Sequence, residues 1–340
     1  MTSILPEQLK EFQSGADLAV GNATEFFDAL ITETDERLLA GIFNAWNRKG
    51  IAEDEIYLIA KIMRERCTKV VSRHKTFVDI VGTGGSKVKT FNISTAAAFV
   101  VAGEGVPVAK HGNKAATSNS GSADVLAALG IEPAVDAATA ERCLNDIGIC
   151  FMFAPNFHRL SPTLAKVRRG LGFPTIFNCV GPLCNPAGAP HQLIGVWDKN
   201  LVPKMANALA RLGTKKSWVV HGEDGMDEIS ISGPTLVAEL EDENVRMFAL
   251  SPRDLFIKPL SLNGLRVKTP DESAMMVREI LEFKQKESAA ESIVLVNAMA
   301  AFYIAGYGES LKDTFGFALD SIRNGHALKK LNALTTAVSL

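Results

Sequence analysis

Three observations predict an α/β fold in which a small all-helical domain accompanies a larger α/β domain with a mostly parallel sheet and an antiparallel part. Residues 1–70 carry apolar side chains at helical spacing and little strand signal. From Thr76 to Val220, short β-rich runs alternate with helical stretches, the grammar of a parallel sheet. Thr235 to Leu240 and Val245 to Leu250 alternate polar and apolar residues as an antiparallel pair does. No internal repeat or low-complexity linker interrupts the chain.

The opening helices are read from Phe26, Phe27, Leu30 and Ile31, then Leu38, Leu39, Ile42, Phe43 and Trp46, then Ile56, Leu58, Ile59, Ile62 and Met63. Thr34 and Asp35 supply a helix start and Gly50 a stop. Their long apolar faces suit a neighbouring domain or a second subunit. A strand over Thr76 to Val81 ends at the glycine loop Gly82-Thr83-Gly84-Gly85, and Asn92, Ile93, Ser94 and Thr95 open a buried helix. Such a strand, loop and helix start reads two ways. One is an anion site, because glycines let backbone N–H groups approach a phosphate and a helix N-terminus carries partial positive charge. The other is a tight turn with a Ser/Thr cap. The loop has neither the Gly-Lys-Ser/Thr ending of a P-loop nor the third glycine of a dinucleotide fingerprint.

A strand over Val106 to Ala109 leads into a polar loop, after which Ser122 or Asp124 caps a helix. A helix over 138–147 and a strand over Ile149 to Phe153 follow. Gly181-Pro182 and Asn185-Pro186 then punctuate the chain before a strand over Leu193 to Trp197. A helix over 200–212, a strand over Ser217 to Val220, and three helical stretches at about 271–286, 291–305 and 310–336 complete the pattern.

The chain has 340 residues and is 47% hydrophobic, enough for a sizeable core. Its net charge of −2 gives no reason to expect nucleic acid or an anionic membrane as partner. Cys67, Cys143, Cys150, Cys179 and Cys184 form no CxxC pair, so buried, reduced thiols in a cytoplasmic protein are expected. No secretory leader and no apolar run of about 20 residues is visible, which predicts a cytoplasmic location.

Four polar loops, 82–95, 110–122, 154–169 and 221–228, each follow an apolar strand and should converge on one crevice. Lys110, His111, Gly112, Asn113 and Lys114, with Thr117, Ser118 and Ser120 behind them, offer cations, an imidazole, an amide and hydroxyls to a phosphate. The acidic turn holds Asp224, Asp227 and Glu228. Adjacent carboxylates either stand in solvent or share a cation, and beside phosphate loops a Mg²⁺ shared with substrate phosphates is the economical reading. Arg168 and Arg169 either grip a substrate carboxylate or cover a solvated helix face. His111 and His158 read as acid/base groups, polar contacts or neither, and no Ser-His-Asp or Cys-His arrangement supports a covalent intermediate, so no acid/base residue is assigned.

These residues resemble the anthranilate phosphoribosyltransferase family. The likeness runs through GTGG…TFNIST, KHGN…SGSADVLAALG, FAP…H…VR..LG, TIFN..GPL.NP and HGEDGMDE, ordered and nearly gap-free over about 75–235. It implies a helical domain of residues 1–72 joined by a mid-chain segment at about 165–190, packed on an α/β domain of residues 73–340, with homodimers formed through the helical part. It implies transfer of the phosphoribosyl group from phosphoribosyl pyrophosphate to anthranilate, with Mg²⁺, in tryptophan biosynthesis. Carried over residue by residue, Gly82, Gly85, Ser86, Thr90, Asn92, Ile93, Ser94 and Thr95 resemble donor contacts. So do Lys110, His111, Gly112, Asn113, Lys114, Ala115, Ala116, Thr117, Ser118 and Ser122. Gly82, Asn113 and Arg168 resemble contacts to anthranilate, and Ser94, Asp227 and Glu228 resemble metal ligands.

The chain departs from the family pattern in three places. Ser86 and Lys87, followed by Lys89, stand where Asp-Gly is usual; Lys114 stands for Arg; and Arg159-Leu160 stand for Pro-Ala beside the expected acceptor channel. These departures leave open a same-fold paralogue with another aromatic acceptor. A non-enzymatic nucleic-acid-binding relative, with Lys87, Lys89, Lys110 and Lys114 as a basic groove, is the further alternative. A pyrimidine nucleoside phosphorylase ranks last, because its Gly-Gly-Thr-x-Asp stretch is not visible.

Overall fold

The computed structural model describes residues 3–86, 88–114, 120–255 and 257–339. Four helices come first: α1 (Leu5–Gln13), α2 (Ala23–Thr32), α3 (Glu36–Lys49) and α4 (Glu53–Arg66). Asp35 starts α3 as expected, its carboxylate accepting the N–H groups of Arg37 at 2.8 Å and Leu38 at 3.2 Å. Alternation then begins with β1 (Val78–Gly82), α5 (Ile93–Gly103), β2 (Val108–Gly112), α6 (Ser122–Ala128), α7 (Ala137–Arg142) and β3 (Ile149–Phe153). It continues through α8 (Ala154–Phe157), α9 (Pro162–Gly170), α10 (Ile176–Leu183), β4 (His191–Gly195), α11 (Leu201–Arg211) and β5 (Lys216–Gly222). The chain closes with β6 (Thr235–Glu241), β7 (Asn244–Leu250), α12 (Pro270–Leu281), α13 (Ala289–Ile304), α14 (Leu311–Arg323) and α15 (His326–Ala337).

Among the described residues the sheet has seven strands in the order β3-β2-β1-β4-β5-β6-β7. The first five named, β3 to β5, run parallel, and β6 and β7 extend the edge antiparallel. One face of the sheet shares an apolar core with α5 and α12–α15. The other face, through Val81, Ile194, Val219 and Ala238, shares a core with α1–α4, α9, α10 and α11. The alanine-rich α5 is buried on all sides between the sheet, α13 and α15, where only small side chains fit. The five cysteines are unpaired and buried. No helix of the described residues is long and apolar enough to cross a membrane.

Local differences from the sequence reading have physical causes. Gly181-Pro182 is no loop: Pro182 lies inside α10, a short helix whose apolar face is buried against α4. The stretch 310–336 is two helices, because Gly325 takes φ +71°, the left-handed region that ends α14. The helix over 138–147 ends in a wider π turn over Cys143–Ile147. Neither Ser122 nor Asp124 is the cap of α6. Gly121 is, and the Asp124 carboxylate reaches back to accept its N–H at 3.0 Å.

Candidate active site

Strand order reverses between β1 and β4, and open α/β sheets bind ligands outside the carboxyl ends of their strands at such a point. A cavity of about 240 Å³ lies there. All four polar loops reach it: Gly82 to Gly84 and Thr90 to Ser94; His111 to Lys114 and Ser120 to Ser122; Ala154 and Arg168; Asp227 and Glu228.

The floor is the start of α5. Asn92 caps it, its side-chain oxygen accepting the Thr95 N–H at 3.0 Å and the Ser94 hydroxyl at 3.3 Å. The amide of Asn92 donates to the Ser122 hydroxyl at 3.4 Å, which ties the second loop to the first. Lys110 lies beneath this floor. Its ammonium donates to the carbonyl of Ile80 at 2.5 Å and to the Ser94 hydroxyl at 3.2 Å, and burial lowers its pKa to about 8.

Asp227 and Glu228 are the anionic wall. Burial raises both carboxyls, and Glu228 is pushed up to about 8 by burial and then by the neighbouring Asp227. Each is partly compensated: Glu228 accepts the backbone N–H of Ser94 and feels Lys110, while Asp227 accepts the Gly84 N–H at 3.1 Å and feels Lys89. The acidic turn lies so close to the sheet because strands end in glycine beneath it. A Cβ on Gly195 would sit 1.6 Å from the carbonyl oxygen of Asp227, and one on Gly82 2.9 Å from its carboxylate. Gly195→Ala is therefore expected to push the turn outward and to destabilise the fold by about 2 kcal/mol; chemical denaturation measures this, and a variant as stable as its parent would refute the close approach.

Across the cavity, Arg168 at the end of α9 is partly buried. Its Nε donates to the Thr175 hydroxyl at 3.2 Å and its guanidinium lies 4.8 Å from the centre of the Phe177 ring. Burial lowers its pKa to about 10, and among the described residues no charge offsets that cost. Asn178 at the start of α10 joins this wall to the glycine loop by donating to the Thr83 carbonyl at 3.4 Å.

His111 and His158 pack edge to face, ring centres 5.1 Å apart, and burial holds both neutral, His158 at about 4. The unfolded chain takes up protons on these rings below about pH 6.5 while the folded chain does not, so stability falls as pH drops. For His158 the loss amounts to about 2 kcal/mol by pH 5. Urea unfolding of His158→Gln is expected to show a flatter decline from pH 7 to 5 than the parent; an equal slope would refute this.

Of the residues singled out in the sequence, Gly82, Thr90, Asn92, Ile93, Ser94, His111, Gly112, Asn113, Lys114, Ser122, Arg168, Asp227 and Glu228 line the cavity. Gly85 does not; it packs against Pro174 and Trp197. Ser86, Thr95 and Lys110 are not part of the lining either. Ala115, Ala116, Thr117, Ser118 and Lys87 lie outside the described residues. Arg159 and Leu160 line a separate pocket with Phe27, Ile31 and Met63, so they do not border this crevice. Phe177, Asn178, Gly181 and Pro182 line it and were missed as site residues. Their signal was the TIFN..GPL motif, read only as a family likeness.

A mostly parallel sheet with a helix N-terminus, a half-buried carboxylate pair and an uncompensated guanidinium around one crevice defines a transferase-type site for an anionic, phosphate-bearing substrate. Residues 74–328 match the family model described as the glycosyl transferase family, a/b domain. The chain is 40% identical to the anthranilate phosphoribosyltransferase of Moorella thermoacetica over 336 residues, 98% of either chain. It superposes on the crystal structure of that enzyme from Thermus thermophilus with TM-score 0.88 at 36% identity, covering 97% of this chain and 98% of the other. The Saccharomyces cerevisiae enzyme in complex with PRPP and Mg gives TM-score 0.88 at 27% identity, with 99% and 98% covered. The chain belongs to the anthranilate phosphoribosyltransferase family.

Proposed function

We propose that this protein transfers the phosphoribosyl group of phosphoribosyl pyrophosphate to the amino group of anthranilate, giving N-(5-phosphoribosyl)anthranilate and pyrophosphate in tryptophan biosynthesis. The observation that carries this reading is the single crevice that combines the α5 N-terminus and the Asp227–Glu228 pair with the uncompensated guanidinium of Arg168. The first two suit a donor carrying metal and phosphate; the third suits the carboxylate of the acceptor.

Ser94, Asp227 and Glu228 offer oxygen donors only, and two adjacent half-buried carboxylates that repel one another fit a divalent cation shared with substrate phosphates. Bound there, Mg²⁺ supplies charge neutralisation for the departing pyrophosphate. The chain's own groups do the rest. Backbone N–H groups of the glycine loop and of α5 orient the diphosphate. Arg168 holds the acceptor carboxylate so that the amino group faces C1 of the ribose. The C1–O bond to pyrophosphate breaks, the N–C1 bond forms, and the nitrogen gives up one proton. An aromatic amine is neutral at pH 7, so no strong base has to act first, and catalysis is positioning and electrostatics.

We propose further that residues 1–72 and about 165–190 form one helical unit through which two copies pair in the cytoplasm. The core shared by α1–α4 with α9 and α10 supports the unit; light scattering at twice the mass of one chain tests the pairing. A nucleic-acid groove is disfavoured because Lys110, which it would need, is buried under the crevice floor.

The test is the loss of anthranilate fluorescence with purified protein, phosphoribosyl pyrophosphate and Mg²⁺, each omitted in turn. Loss that requires all three is expected. No loss while the donor still binds would overturn the acceptor assignment in favour of another aromatic acceptor.

A further inference from the structure

We propose that Lys89 is a further donor-binding residue, its ammonium meeting the pyrophosphate end of the donor at the seam between the glycine loop and the acidic turn. The inference rests on the reading of the crevice given above. Lys89 is not itself part of the crevice lining but stands between Val88 and Thr90, which are. Its Nζ donates to the carbonyl of Ser86 at 2.8 Å, and the Ser86 hydroxyl shares its one proton between the carbonyls of Val88 at 3.0 Å and Gly225 at 3.2 Å. The ammonium is thereby held where the two loops meet. That one hydrogen bond uses one of its three N–H groups.

The carboxylate pair divides its cations. Lys110 acts on Glu228 from beneath the floor, fixed to Ile80 and Ser94. Lys89 acts on Asp227 from the loop above, where it is only partly buried and, among the described residues, joined to a single carbonyl. With a divalent cation held by Asp227 and Glu228, the charge of Lys89 would be surplus to the protein and free for the polyanion. Lys110 has no such freedom, and Arg168 belongs to the other wall. A flexible ammonium at the rim is also the residue type that follows a leaving diphosphate without demanding a fixed bidentate geometry.

The experiment is calorimetric titration of inorganic pyrophosphate into the parent, Lys89→Met and Lys89→Arg, once with EDTA and once with Mg²⁺, beside steady-state kinetics. Lys89→Met is expected to weaken pyrophosphate about tenfold or more with Mg²⁺, and by less with EDTA, where the Lys89 charge still serves Asp227. It should raise KM for phosphoribosyl pyrophosphate by a similar factor and leave KM for anthranilate unchanged. Lys89→Arg should stay within about threefold of the parent, since it keeps the charge. Thermal melts accompany each variant, and Lys89→Gln replaces Lys89→Met should the latter melt early. Equal pyrophosphate affinity in the parent and the neutral variant overturns the proposal, whatever happens to turnover. Lys89-dependent pyrophosphate binding in a protein that never consumes anthranilate would uphold it and overturn the acceptor reading instead.

Discussion

Asp227→Asn combined with Glu228→Gln will lower turnover at limiting Mg²⁺ at least tenfold, about 1.4 kcal/mol of barrier. The same variant will hold its melting temperature or raise it. The two expectations come from one fact: the carboxylates stand half-buried side by side, and Glu228 is pushed up to about 8 by burial and by Asp227. Without a cation the charged pair costs stability, and the amides remove that cost while keeping an acceptor for the Gly84 N–H. A functional pair is thus distinguished from a structural one, whose replacement would weaken the fold. The measurement is rate against Mg²⁺ concentration beside a thermal melt. An unchanged Mg²⁺ curve would refute the metal role; a lower rate with a collapsed melt would mean that the pair holds the turn together.

The parts of this site that follow one local rule were legible in the sequence. Asn92 caps α5 and the glycine loop ends β1 because propensity and turn chemistry act over a few residues. The convergence of four loops followed from counting strands and knowing where a parallel sheet opens. What escaped depends on contacts between distant segments. Gly195 looks like any strand-end glycine until the carbonyl of Asp227 is seen to lie against it. Lys110 and Lys89 are alike on paper, yet β2 is buried and turns Lys110 beneath the floor while the loop leaves Lys89 only partly buried. Pro182 reads as a loop residue because its dipeptide is a turn signal, but burial of α10 against α4 overrides that signal. Arg159 and Leu160 were placed at the acceptor side by likeness alone, and the turn of the chain before α9 carries them to another pocket.

Arg168→Ala will raise KM for anthranilate about thirty- to hundredfold, the roughly 2–3 kcal/mol of a charge-assisted hydrogen-bonded pair, and leave KM for phosphoribosyl pyrophosphate near its parent value. The guanidinium is held on one side by the Thr175 hydroxyl through Nε and from its face by Phe177, so its fork is aimed before any ligand arrives. Burial has already lowered its pKa, with no carboxylate among the described residues to compensate, and that desolvation is returned only when an anionic ligand binds. Arg168→Lys, which keeps the charge but loses the fork and the ring contact, should fall between the two. Aniline supplies the decisive comparison, because it has the amine without the carboxylate. Its slow conversion should be nearly insensitive to Arg168→Ala, so the penalty is specific to the carboxylate and disappears with it. If the variant instead weakened the donor alone, or slowed aniline as much as anthranilate, the guanidinium would belong to the donor pocket or to the frame of α9, and the acceptor would have to lie elsewhere in the crevice.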